Sequence, residues 1–174
     1  MSTADPFLRM ALNNGWANET LYAAVVRLSP GAFTARRPGF FPALSQTLNH
    51  ILLVDRFYLA ALEGAPVPYD AIHAEDVGDP VACAALQRIE DLRLIAFCRG
   101  LSGADLAATR DTVRAGVRVA ERVDALLLHL CQHQVHHRGQ AHVQLQEAGI
   151  APPQLDDFHL DYGRVPQAQA WLDG

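Results

Sequence analysis

The chain contains no lysine. All 14 basic side chains among its 174 residues are arginine, against 19 acidic ones, for a net charge of −5. The basic residues form no run, Arg36 and Arg37 being the only adjacent pair, and there is no acidic tail. A negative surface repels a phosphate backbone, so nucleic acid is not an expected partner. Long apolar runs are missing as well. A stretch such as 81–86 has only about a third of the ~18 residues a membrane span needs. The opening MSTADP lacks the basic region and apolar core of a signal peptide, so a cytoplasmic protein without membrane contact is expected. Cysteine is scarce: Cys83, Cys98 and Cys131 are far apart, odd in number and form no CxxC pair. That pattern suits reduced thiols packed as small apolar groups. Aromatic residues make up only 7% of the chain.

What is abundant is alanine and leucine, in a chain that is 50% hydrophobic, and this favours helices over sheets. At this length one domain, residues 1–174, accounts for the whole chain. Asp5 and Pro6 announce a first helix as N-cap and first helical residue. Phe7, Met10, Ala17, Leu21, Val25 and Leu28 then recur at three and four, and Ser29-Pro30-Gly31 ends it. Asn14 interrupts that stripe. A second helix spans 42–63, with Leu44, Leu48, Ile51, Val54, Tyr58 and Leu62 on one face and Gly64 closing it. His50 lies beside this stripe, in line with Thr47, Val54 and Phe57. A Gly-, Pro- and Asp-rich loop occupies 65–78, and Asp79-Pro80 opens a third helix bearing Leu86, Ile89, Leu92, Ala96 and Phe97. Gly100 and the SGAD that follows stop it.

The segment ATRDTVRAGVRVAERV reads both ways. Arginines spaced by four suit a helix, whereas alternating Val113, Val117 and Val119, with Gly116 between, suit a small hairpin or extended loop, and the latter is preferred. The last helix covers 121–148 and is followed by an irregular arm ending in a short amphipathic turn around Trp171. Four long amphipathic helices imply an all-α, four-helix bundle.

On the last helix HLCQHQVHHRGQAH holds five of the eight histidines. Its apolar stripe starts at Val123, Leu126/Leu127 and Leu130, then steps onto His133 and His137 before Ala141 and Leu145. Two imidazoles therefore stand where hydrophobes are required, one turn apart on the same face, and burying them unpaired is costly. Both can reach one cation, the logic of histidine pairs in zinc enzymes. His129 and His133 form a second such pair and His136 offers a third ring, so spacing alone does not select the ligands. A third ligand must come from another helix, and His50 is the candidate. His73 and His159 fall in expected loops and are read as surface residues.

LNHILLVDRFYLAALEG and HLCQHQVHHRGQAHVQLQEAGIAPPQLDDF resemble the DinB/YfiT-like superfamily of metalloenzymes, whose hallmarks are a histidine on helix two and a later HxxxHRGQ. NNGWANETLYAAVVRLS and FPALSQTLNHILLVD extend the likeness over most of the chain. The resemblance places metal-binding histidines at His50, His133 and His137, and leaves His129 and His136 out of the ligand set. It implies a four-helix bundle with a non-sequential helix order, often a homodimer, holding zinc or nickel with open coordination positions. It also implies transfer of low-molecular-weight thiols, or isomerisation of thiol adducts, on a small-molecule substrate. The reaction is carried by the resemblance alone, since no nucleophile or acid/base partner stands out. The alternatives are a non-catalytic dimeric bundle braced by metal and a metal-dependent hydrolase.

The remaining residues take further expectations. Gly139 in mid-helix suggests close approach of another backbone. Gln140 either bonds a ligand or serves as a structural amide. Arg138 is expected to point away from the seam into an ion pair with a neighbouring helix. Asp55 matches a family acid, yet it lies about 140° round the helix from His50, which makes a direct bond awkward. Asn14 and Trp16 are expected to pack.

Overall fold

The structure, a computed structural model, describes residues 5–65, 74–114, 116–156 and 169–172. Four long helices carry it: α1 (Asp5–Val25), α2 (Leu44–Leu62), α3 (Pro80–Arg99) and, after a short α4 (Gly103–Ala107) and a hairpin, α5 (Val123–Glu147). The hairpin pairs β1 (Thr109–Arg114) with β2 (Val117–Arg122), and α6 (Gln169–Leu172) holds Trp171. His73 and His159 lie outside the described residues.

Helix starts follow local chemistry. Asp79 caps α3 by accepting from the Ala82 amide at 2.9 Å, with Pro80 as the first helical residue. SGAD, expected only to stop α3, starts α4 through a reciprocal pair: Ser102 Oγ accepts from the Asp105 amide while the Asp105 carboxylate accepts from the Ser102 amide. The ambiguous arginine segment is an antiparallel hairpin with Arg110 opposite Glu121 and Thr112 opposite Val119. Gly116 turns it at φ 79°, a conformation open to glycine at little cost. Glu121 and Arg122, expected in the last helix, therefore belong to β2.

The helices do not pack in chain order. α1 lies against α3 and α5, and α2 against the same two, so the sequence of neighbours round the bundle is α1, α3, α2, α5. Two apolar clusters fill it. One gathers Trp16, Leu59, Leu94, Leu126, Leu127 and Leu130; the other gathers Leu21, Leu44, Leu48, Ile51, Cys83 and Leu145. Trp171 packs directly on α1 at Gly15, where a Cβ would come within 2.4 Å of the indole ring.

Between the two clusters runs a buried polar layer to which all four long helices contribute. Asn14 and Asn18 of α1 donate to Asp91 Oδ1 at 3.1 and 2.8 Å. Gln87 of α3 donates to Asp91 and to Asp55 Oδ2, the latter at 2.7 Å, and Gln134 of α5 donates to the same Asp55 oxygen. Arg138 Nη1 donates to Asn14, Asn18 and Gln134. This layer sets the inward face of α3, which carries Cys83, Gln87, Asp91, Leu94, Ile95 and Cys98. The apolar face expected there is corrected accordingly: Ile89 is 58% and Leu92 48% exposed. Apolar periodicity failed because α3 buries an amide and acids that hydrogen-bond to other helices.

Candidate metal centre

α2 and α5 pack side by side, and a clamp fixes their register beside the histidines. Thr47 Oγ1 donates to Gln144 Oε1 at 2.7 Å, while Gln144 Nε2 donates to the Phe41 carbonyl at 2.8 Å. Gln144 thus ties α5 both to the start of α2 and to the segment before it. The Phe41 ring comes to rest 4.7 Å from His50 and 5.8 Å from His137.

In that frame His50, His133 and His137 converge, with one ligand-capable nitrogen from each lying within 4.8 Å of the others. The Nε2 atoms of His50 and His133 are 3.0 Å apart. Two nitrogens bound to one cation at about 2.1 Å lie roughly 3.0–3.4 Å apart for right-angled to tetrahedral geometry, so the spacing fits a shared ion. His133 Nδ1 is buried without a partner, leaving that imidazole poorly satisfied by the protein. Burial, with His137 adding to it, pushes His50 down to about 4. Burial and the surrounding imidazoles push His133 down to about 3, and burial also lowers His137. All three rings are therefore neutral at pH 7 and keep a lone pair, the state a metal ligand needs.

Gln140 belongs to the same construction. Its Oε1 can only accept, so the 2.9 Å contact assigns the His137 proton to Nδ1 and leaves Nε2 free. Gln140 Nε2 in turn faces His136 Nε2 at 3.0 Å. Of the two expected roles, the structure shows an amide bridging two imidazoles. His129 and His136 stand outside the converging set, yet both line the cleft above it. That cleft, of about 420 Å³, is completed by Phe40, Val54, Tyr58 and the three converging histidines. Among the described residues no fourth metal-ligating side chain joins the three.

Two sequence expectations need correction. Arg138 points away from the seam, as expected, but not into an ion pair: it is 6% exposed, inside the polar layer, and its direct partners are three amide oxygens rather than an acid. α5 has two buried faces, one toward α2 and one toward α1, and Arg138 is on the second. Gly139 meets no backbone, since a Cβ there would find nothing within 4 Å. Asp55, whose role the sequence left open, turns away into the polar layer. Burial and the nearby Asp91 raise it to about 8 despite bonds from Gln87 and Gln134. Asn14 and Trp16 are both buried, Trp16 in the apolar core and Asn14 in the polar layer. Phe40, Phe41 and Tyr58 were missed as site residues; the adjacent phenylalanines, in a chain poor in aromatics, were the available signal. No described helix is long and apolar enough to cross a membrane.

Known proteins resemble this chain in sequence and in fold. Protein DinB of Bacillus subtilis (strain 168) is 24% identical over 149 residues, covering 82% of this chain and 86% of that protein. The crystal structure of a DinB-like protein from Bacillus cereus ATCC 10987 superposes with a TM-score of 0.66 at 18% identity, covering 86% of this chain and 95% of that one. A DinB-like protein from Bacillus subtilis gives 0.61 at 18% identity, with coverages of 83% and 92%. Both share the fold. The family model described as DinB family matches residues 1–167, and the chain belongs to the DinB family.

Proposed function

We propose that His50, His133 and His137 hold one divalent cation, zinc with nickel as the alternative, in a metal-dependent enzyme that transfers or isomerises low-molecular-weight thiols. The observation that carries this reading is the convergence of three neutral imidazoles on the floor of an open cleft, with no fourth side chain joining them among the described residues. A metal that only braced the core would be expected to have a closed ligand set. A cation in such a cleft lowers the pKa of a thiol placed beside it and so supplies a nucleophile at neutral pH.

The chain's own groups do the rest. Gln140 fixes the tautomer and angle of His137, and Phe41 packs against two of the ligands. Phe40, Val54 and Tyr58 give the cleft apolar walls that limit water and receive the carbon skeleton of a small substrate. One observation favours a second reading, hydrolysis with water as nucleophile: His129 and His136 line the same cleft and offer imidazole bases. The protein is further read as a cytoplasmic homodimer. Exposed Val81, Ile89 and Leu92 on one side of α3 support the dimer, which sedimentation equilibrium tests.

The enzymatic reading is tested by incubating glutathione, mycothiol and bacillithiol with reactive electrophiles, with zinc, with nickel and after chelation. Metal-dependent thiol consumption that disappears in His137→Ala is the expected result. Ester or amide cleavage without thiol would favour the hydrolase. A folded, metal-loaded protein inert in every arm would leave a non-catalytic bundle.

A further inference from the structure

A second cavity, of about 440 Å³, lies between α1, α5 and the segment around residues 153–156. It is lined from α5 by Val135, Arg138, Gly139 and His142, which share a face about 150° round the helix from the histidine cleft. Nothing in the metal site uses it. Four features of its wall are unexplained by the fold.

The first is Arg138, a cation 6% exposed whose three hydrogen bonds all leave from Nη1. Its Nε and Nη2 donate to nothing among the described residues, so one edge of the guanidinium fork is spare on a residue that lines the cavity. The second is Asn13, 7% exposed, whose Oδ1 is buried with no partner. Asn13 lines the cavity, and its Nδ2 donates to nothing among the described residues. The third is Gly139, where the missing Cβ opens space that no protein atom fills. The fourth is Asp156, an exposed carboxylate on the opposite wall, held by Gln154 through one oxygen. Met10, Val135 and Leu155 supply apolar surface between these poles.

We propose that this cavity binds a small molecule with an α-amino acid head group and an apolar side chain. Its carboxylate lies on the spare edge of Arg138 and on the Asn13 amide, because a planar fork of donors matches a planar pair of acceptors. Its ammonium faces Asp156, and its side chain lies along Met10, Val135 and Leu155. The bare helix at Gly139 lets the ligand sit close to α5. A plain carboxylate would meet Asp156 as a like charge, and a plain amine would meet Arg138 as one.

The test uses the full-length, metal-loaded protein labelled with ¹⁵N and titrated separately with L-leucine, 4-methylpentanoate and 3-methylbutylamine. L-Leucine is expected to give saturable shifts at Asn13, Gly139 and Asp156. Each half-molecule should bind at least about tenfold more weakly, the loss expected for one charge-assisted contact. Gly139→Leu starts its side chain in space where a Cβ meets nothing within 4 Å, so it should abolish the shifts without lowering metal content or melting temperature. Asp156→Asn should weaken L-leucine binding and strengthen that of 4-methylpentanoate. Absence of saturable binding would overturn the proposal, and so would shifts confined to His50, His133 and His137 or binding that survives Gly139→Leu. Equal affinity for 4-methylpentanoate would overturn the amino acid assignment.

Discussion

Replacing Asp55 by asparagine should flatten the pH dependence of stability above neutrality. In the folded chain Asp55 is raised to about 8 and Asp91 to about 7, both chiefly by burial, from an ordinary 3.8. The sign follows directly. A raised carboxyl favours folding below its unfolded pKa, and that contribution is lost as pH rises through the folded value. Near pH 7.5 the two acids together retain about one proton that the unfolded chain has released, so stability should fall by about 1.4 kcal/mol per pH unit. Below about pH 6.5 the trend is opposed. His50 and His133 stay neutral down to about 4 and about 3, the unfolded chain takes up protons first, and stability is lost as pH falls through that range. The decline with rising pH should therefore appear on the alkaline side. Asp55→Asn keeps an oxygen to accept from Gln87 and Gln134, and it leaves only Asp91, raised to about 7, to retain a proton. Its slope near pH 7.5 should drop to roughly 0.3 kcal/mol per unit or less. Urea unfolding of chelator-treated protein across pH 6.5 to 8.5 measures both slopes. An unchanged slope in the variant would refute the shared-proton account of the polar layer.

Three further outcomes are expected. Gln140→Leu should weaken metal affinity about 10- to 100-fold with little change in fold, because it removes the bond that orients His137, and competition with a chromophoric chelator reads this. Arg138→Met should cost about 3–5 kcal/mol in urea unfolding, since it strips a buried cation from a layer that keeps its two carboxyls; a loss below about 1 kcal/mol would contradict that placement. Cys98 and Cys131, raised by burial to about 12 and about 11, should react with an aromatic disulfide far more slowly in native than in denatured protein, because about one Cys131 thiol in a thousand is ionised at pH 8.

How far the sequence could be read depended on whether a residue's partner was apolar. The stripe through Leu126, Leu130, Ala141 and Leu145 is apolar except at His133 and His137, so the inward direction of those imidazoles could be counted off. His50 could be paired with them because it flanks an equally regular stripe. The polar layer offered no such pattern. Asn18, Gln87, Asp91 and Gln134 each look like ordinary surface residues, and only the meeting of four helices makes them partners. The amide partners of Arg138 were missed for the same reason: stepping along one stripe of α5 does not reveal that the helix buries a second face. Gly139 was misread because a missing Cβ signals space without saying whether protein or a cavity fills it.

The central claim is that three particular histidines hold one cation, and metal content of single-alanine variants tests it most directly. Zinc titration with mass-spectrometric metal analysis should give one ion per wild-type chain. That ion should be lost, or held at least about 100-fold more weakly, in His50→Ala, His133→Ala and His137→Ala. It should be retained in His129→Ala and His136→Ala, whose rings line the cleft outside the converging set. Full occupancy in His133→Ala, with loss in His129→Ala or His136→Ala, would contradict the account.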